Sequence, residues 1–164
     1  MSGFIHCNHI FGIRNDVYNS PVFQDEHTAL IASAGKIVRY RLDGLPHKFV
    51  ANNEKNSKCS TTTAIALSAT KRHLALAEKN HDVKSGKNSK LPYIVIFDLL
   101  HNASKRQRVL HLDKDEKGED NGSTSTEIVS LDFSADGKYL IAQTNGPDWM
   151  LYMWQWDKNK LQCV

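Results

Sequence analysis

The chain lacks most of the features that make a function easy to read. Only three of its 164 residues are cysteine, Cys7, Cys59 and Cys163. An odd number at wide spacings argues against a disulfide framework and suits reduced thiols in the cytoplasm. No apolar run approaches the roughly 20 residues of a membrane-spanning helix. The opening "MSGFIHCNHIFGIRND" has no basic n-region, no apolar h-region and no small-residue cleavage site, so it is not read as a secretory leader. Charge of one sign is scarce too: 21 basic residues against 18 acidic leave a formal charge of +3. That is too weak a field to predict nucleic-acid or membrane binding. Helical patterning is absent as well, because no segment of useful length carries an i, i+3, i+4, i+7 apolar stripe behind a capping residue.

Motifs for chemistry are equally sparse. There is no nucleophile elbow, no glycine-rich phosphate loop and no pair of carboxylates at a working spacing, so neither an enzyme nor a bound cofactor is expected. "HCNH" places His6, Cys7 and His9 together, but the spacing fits no structural zinc pattern and no second ligand pair follows. "SAGK" at Ser33 to Lys36 lacks the leading glycine and trailing hydroxyl of a phosphate loop and reads as a hairpin turn. The acidic run at 113–120 has no calcium-ligand periodicity and reads as a solvated loop. Cys59 and Cys163 have no neighbouring cation or helix start to make a reactive thiolate. Trp149, Trp154 and Trp156 have no basic groove beside them, so core packing is expected of them and not nucleic-acid stacking.

What is present is strand patterning, repeated. "EIVSLDF" alternates Val129, Leu131 and Phe133 against Ser130 and Asp132, turns at "SADGK" on Asp136 and Gly137, and returns as "YLIAQT". After "NGPD" comes "MLYMWQW" and, past "DKNK", "LQCV", which completes a four-stranded meander. Residues 61 to 112 supply a second copy: "TTTAIAL", "SATKR", "HLALAEK", "YIVIFD" and "RQRVLHL". "LSATKRHLALA" matches "FSADGKYLIAQ" position by position in apolar character. A weaker copy lies upstream in "VFQDEHTALIASA", "KIVRYRLD" and "HKFV". Each third strand closes on a large apolar residue and an aspartate: Leu42 and Asp43, Phe97 and Asp98, Trp156 and Asp157.

Successive four-stranded meanders predict an all-β fold of the β-propeller type, with about three four-stranded blades of an incomplete ring over residues 10–50, 60–112 and 126–164. The near-continuous apolar strands "YIVIF" and "MLYMWQW" are expected to be covered on both faces, as strands of a blade between two neighbours are. Phe97, Asp98, Tyr152, Trp154, Trp156 and Asp157 are the expected blade-packing residues, with Tyr152, Trp154 and Trp156 pointing one way and Leu151 and Met153 the other. Arg39 and Arg41 share a face opposite Val38, Tyr40 and Leu42, which predicts one less thoroughly dry side on the first blade. Two polar inserts, at 80–91 and 113–126, are read as surface loops able to carry contacts.

These repeats resemble WD repeats, whose blades close the third strand with Trp-Asp. Trp156 and Asp157 match literally and the other copies in type, while the family's Gly-His dipeptide is missing from all three. "HIFG" near the start, "ALSATKRHLALAE", "DGKYLIAQT" and "YMWQWDKNKL" further resemble the amino-terminal propeller of a family of cilia- and flagella-associated WD-repeat proteins, from about His9 onward. That resemblance implies tandem propellers followed by coiled coil in a non-enzymatic scaffold of the ciliary axoneme and cytoskeleton. It implies as partners inner dynein arms, regulatory-complex subunits on doublet microtubules and possible contact with tubulin. A general cytoplasmic WD-repeat adaptor unconnected with cilia is the alternative reading. Propellers close with about four to eight blades, so three meanders predict further blades, supplied by a longer polypeptide or by an assembly. Uncovered, each outer face forgoes burial on the order of 10 kcal/mol.

Overall fold

The computed structural model describes residues 12–33, 36–44, 47–50, 60–80, 91–100, 106–112 and 125–163. Within them the chain forms twelve strands in three four-stranded antiparallel sheets, each a simple meander. Sheet one holds β1 (Val22–Asp25), β2 (Thr28–Ser33), β3 (Lys36–Arg41) and β4 (Lys48–Val50). Sheet two holds β5 (Ser60–Leu67), β6 (His73–Asn80), β7 (Tyr93–Asp98) and β8 (Arg106–His111). Sheet three holds β9 (Ile128–Phe133), β10 (Tyr139–Thr144), β11 (Leu151–Gln155) and β12 (Lys160–Cys163). The architecture is that of propeller blades in an open ring.

The hairpin turns are built by the residues that the repeat aligns. Ser134 Oγ accepts from the Tyr139 amide at 2.9 Å, and the Ser134 amide donates to the Tyr139 carbonyl at 2.9 Å. Ser68 does the same with His73, at 3.0 and 2.9 Å. Gly137 takes a φ of 72°, which a side chain would strain. Asp136 beside it accepts from Ser134 Oγ at 2.6 Å and from the Lys138 amide at 3.1 Å, and these bonds hold its carboxyl below the ordinary value.

The sheets stack through two cores. Between sheets one and two lie Leu30, Ala32, Ile37 and Val50 on one side and Ile65, Leu74, Leu76, Val95 and Phe97 on the other. Between sheets two and three, Ala64, Ala66, Ala75, Ala77, Ile94 and Ile96 form a low floor under Leu131, Phe133, Leu140, Tyr152, Trp154 and Trp156. The middle sheet is therefore dry on both faces: Ile94, Val95 and Ile96 are each 0% exposed and Phe97 1%. Small residues on one wall and large rings on the other let two pleated surfaces interlock without voids.

Two expectations need correction. "MLYMWQW" is covered on one face only: Tyr152 and Trp154 are buried against sheet two, while Leu151 is 53% exposed and Met153 half-buried. Sheet three stands at the end of the described stack, so its second face meets no other sheet. The strand is also shorter than expected, because Trp156 leaves the ladder for a 3-10 turn, Trp156–Lys158, that ends on the left-handed Asn159. In sheet one the face carrying Arg39 and Arg41 is the inward one. Cross-strand pairing puts Arg39 opposite Leu30 and Arg41 opposite Thr28, and Arg39 Nη2 reaches the Leu99 carbonyl of sheet two at 3.4 Å. The drier-looking face of Val38 and Tyr40 is the outer one.

The alanine floor generates a stability prediction. Ala75 lies 0% exposed opposite Ala66 and Ile96, so Ala75→Leu would overpack the interface of sheets two and three and cost about 1–3 kcal/mol. A urea titration should show a lower midpoint with the slope unchanged, and an unchanged midpoint would refute the tight fit.

Candidate functional site

The three sheets run in the same sense, so the molecule has two distinct ends. At one end β11 finishes where β6 begins: the His73 and Trp156 rings lie 4.7 Å apart, and Arg108 Nη2 donates to the Asp157 carbonyl at 2.5 Å. At the other end β6 finishes where β9 begins, joined by Lys79 and Glu127 at 3.2 Å. Short hairpin turns occupy the first end. The β10–β11 connection lies at the second, while most of the two polar inserts (81–90 and 113–124) lies outside the described residues.

At the turn end, Asp98 accepts two bonds from Arg72, Nε at 3.1 Å and Nη2 at 2.8 Å, and a third from the Leu100 amide at 2.9 Å. The pair raises the Arg72 guanidinium above its ordinary value. Phe97, before Asp98, is buried toward sheet one, whereas Tyr152 and Trp154, stacked with centroids 5.4 Å apart, are buried toward sheet two. Trp156 donates its indole N–H to the Gly137 carbonyl at 2.8 Å and meets Phe133 edge-on. Asp157 is exposed, and its carboxylate accepts from the Lys158 amide at 2.9 Å. Asp43 pairs with Arg41 of its own strand. The three aspartates aligned by the repeat thus make three different sets of bonds, and Leu42, aligned with Phe97 and Trp156, is 58% exposed. The Arg72–Asp98 link escaped the sequence reading, although hairpin counting from "TKRHL" to "YIVIFD" sets His73 opposite Asp98 and so brings Arg72 within reach.

At the loop end, a recess of about 490 Å³ is lined by Arg14, Asp16, Tyr18, Thr61, Lys79 and Glu127. Arg14 pairs with Asp16 and Lys79 with Glu127, so the recess is polar with its charges balanced. Beside it Asn145 Oδ1 accepts from the Thr126 and Glu127 amides at 3.0 and 3.2 Å, and Ser125 Oγ donates to the Asn145 carbonyl at 2.9 Å. This network holds a loop that carries Trp149, 60% exposed at a φ of 50°, so the core packing expected of it holds for Trp154 and Trp156 but not for Trp149. "HCNH", "SAGK" at Ala34 and Gly35, Cys59 and the acidic run 113–120 fall outside the described residues. Among the described residues no group of His, Cys, Asp and Glu is arranged to hold a metal ion.

Both outer faces carry exposed apolar side chains. On sheet one, Phe23, Ala29 and Tyr40 form one cross-strand row, and Ile31, Val38 and Phe49 the next. Phe23 is 56% and Tyr40 39% exposed. On sheet three, Ile141, Met153 and Cys163 form one row and Gln143 and Leu151 another.

The chain is similar to cilia- and flagella-associated protein 57 of Mus musculus, 29% identical over 156 residues, and to cilia- and flagella-associated protein 57 C of Tetrahymena thermophila, 28% identical over 158 residues. Each alignment covers 95% of this chain and 11% of the relative, so the chain spans about a tenth of the length of these relatives. No family model matches. Among solved structures, Kluyveromyces lactis Hsv2 superposes with a TM-score of 0.44 at 9% identity, over 82% of this chain and 48% of that one. A chain of the mitotic checkpoint complex gives 0.40 at 11%, over 99% and 58%.

The His73–Trp156 contact generates a pH prediction. Burial pushes the His73 imidazole below its ordinary value, against the pull of Asp98 and with the push of Arg72. The unfolded chain then takes up this proton first, so the contribution is complete above about pH 6.5 and is lost as pH falls through that value. Between pH 7.5 and 5.5 the melting temperature should fall further in the wild type than in His73→Gln. Equal falls would contradict the assignment.

Proposed function

We propose that this chain is a non-enzymatic scaffold element of the cilium, seated in the axoneme beside inner dynein arms and the regulatory complex on doublet microtubules. The observation that carries the reading is the sequence similarity along 95% of the chain to cilia- and flagella-associated proteins from a mouse and a ciliate. The physical form agrees with it: stacked rigid sheets present loops and faces to several partners at once, and a scaffold needs placement more than chemistry. Phe97, Tyr152, Trp154 and Trp156 would set the angle between successive sheets, while Asp98 and Asp157 anchor the turn end.

The outer faces supply the attachment. Phe23 and Tyr40 on sheet one and Ile141 and Leu151 on sheet three are exposed apolar side chains that further sheets of the same kind would cover. Such sheets come from a longer polypeptide or from an assembly, and the loop end is left free for axonemal partners.

Two measurements test this. Tagged protein expressed in a ciliated cell should sediment with demembranated axonemes and resist detergent, whereas recovery only in the soluble cytoplasmic fraction would favour a general adaptor over an axonemal scaffold. Ile141→Lys, which faces Asp132 across the strand pair, with Leu151→Asp should abolish that retention. Because both residues are exposed in the three-sheet unit, its own stability should move by no more than about 0.5 kcal/mol per site. Full retention of the double variant would remove the outer face of sheet three from the mechanism.

A further inference from the structure

The segment before β1 does not simply lead into the first sheet. Arg14 still follows the edge of β2, its amide donating to the Ala32 carbonyl at 3.0 Å, and Ser33 Oγ donates to the Gly12 carbonyl at 2.6 Å. By Ser20 the chain is back at the same place, where Ser20 Oγ accepts from the Ala32 amide at 3.2 Å. Residues 15–19 make an excursion between these two points.

That excursion touches the other two sheets. Its Val17 side chain, 5% exposed, enters the core between sheets one and two. Tyr18 then forms a parallel bridge to β5: its amide donates to the Thr63 carbonyl at 2.9 Å, and its carbonyl accepts from the Ile65 amide at 3.0 Å. Asn19, in the left-handed region at a φ of 62°, turns its side chain onward, and Nδ2 donates to the Leu131 carbonyl of β9 at 3.1 Å. The left-handed turn suits Asn, which tolerates that region better than other side chains. From the far side Thr63 Oγ1 donates to the Ile128 carbonyl at 2.8 Å, so β5 and β9 are tied at two levels.

We infer that residues 15–21 are a built-in strap that ties the edge of β2 and the innermost strands β5 and β9 together, so that the three sheets hold their mutual angles while both outer faces stay uncovered. The reason is physical. The innermost strand of a meander has a free edge of amides and carbonyls, which left open is a site for unwanted pairing. Covering the edge of β5 with the chain's own backbone satisfies the Ile65 amide and the Thr63 carbonyl. It also spans all three sheets with one covalent segment, which neither apolar core does, since each joins only two. This goes beyond the proposed ciliary role and does not depend on it.

The test uses amide exchange and residual dipolar couplings of the isotope-labelled chain. In the wild type the Ile65 amide should be protected although it points away from β6, and one alignment tensor should fit all three sheets. Tyr18→Pro removes the donor to Thr63 and should speed Ile65 exchange on the order of a hundredfold, with Leu76 and Val95 inside sheet two unchanged. Asn19→Gly keeps the left-handed turn and deletes only the side-chain bond to Leu131. It should leave each sheet folded, with the apolar core still joining sheets two and three, and lower the alignment magnitude fitted to β9–β12 below that of β5–β8. Should Tyr18→Pro fail to fold, the wild-type Ile65 protection and the alignment of Asn19→Gly still decide the matter. An unprotected Ile65 amide in the wild type, or equal alignment magnitudes for β5–β8 and β9–β12 in Asn19→Gly, would overturn the strap.

Discussion

Everything in this molecule depends on a sheet with no wet side. Sheet two buries alanines toward sheet three and Leu74, Leu76, Val95 and Phe97 toward sheet one, so it has no stable existence without both neighbours. At about 25 cal/mol per Å² of apolar surface, uncovering either face costs an amount comparable to a typical domain's net margin of about 5–15 kcal/mol. The stack is therefore a single cooperative body in which sheets one and three are held by what they cover. The difference in side-chain size across the second interface adds direction, since rings of sheet three can settle only where sheet two offers alanines.

The polar groups follow from that constraint. With both faces of the middle sheet apolar, charged and hydrogen-bonding residues are left to the strand ends, where they bind one sheet to the next. Arg108 to the Asp157 carbonyl works at the turn end, Lys79 with Glu127 at the loop end, and Asn19 to Leu131 along the innermost strands. Exposed pairs of this kind add little energy singly. Their value is geometric: placed at opposite ends, they resist the hinge motions that the apolar contacts, being non-directional, leave soft.

Much of the fold was legible in the chain. Apolar alternation with Ser-Ala-x-x-x turns located the hairpins, and the recurrence of "LSATKRHLALA" in "FSADGKYLIAQ" located the repeat, because turn chemistry and strand period are local properties. What stayed hidden was non-local. Periodicity says that Arg39 and Arg41 share a face, but not that the face looks toward sheet two. Apolar length says that "MLYMWQW" is a buried strand, but not that Trp156 will abandon the ladder so that its indole can reach Gly137. The strap was invisible for the same reason: "NDVYNSP" reads as a turn-rich lead-in, and only the coordinates bring Asn19 to a carbonyl 112 residues away. Alignment by sequence also overstated likeness, since Leu42 is exposed where Phe97 and Trp156 are buried.

The two outer faces are not interchangeable, and that restricts what covers them. Sheet one shows rows of Phe23, Ala29 and Tyr40 and of Ile31, Val38 and Phe49, with Lys36 opposite Ser33 at the end of the same face. Sheet three mixes Ile141, Leu151 and Met153 with Ser130, Asp132, Gln143, Gln155 and Lys160. Two copies joined head to tail would press Asp132 and Lys160 against the aromatic rows of sheet one. Each charge would be taken out of water there, a cost that the gain from the apolar groups around it has to exceed. A cover for sheet one must itself be apolar and low, as the alanine wall of sheet two is toward sheet three. A cover for sheet three must accommodate the polar Ser130, Asp132 and Gln143 beside its apolar groups, so the two ends of the stack select different neighbours.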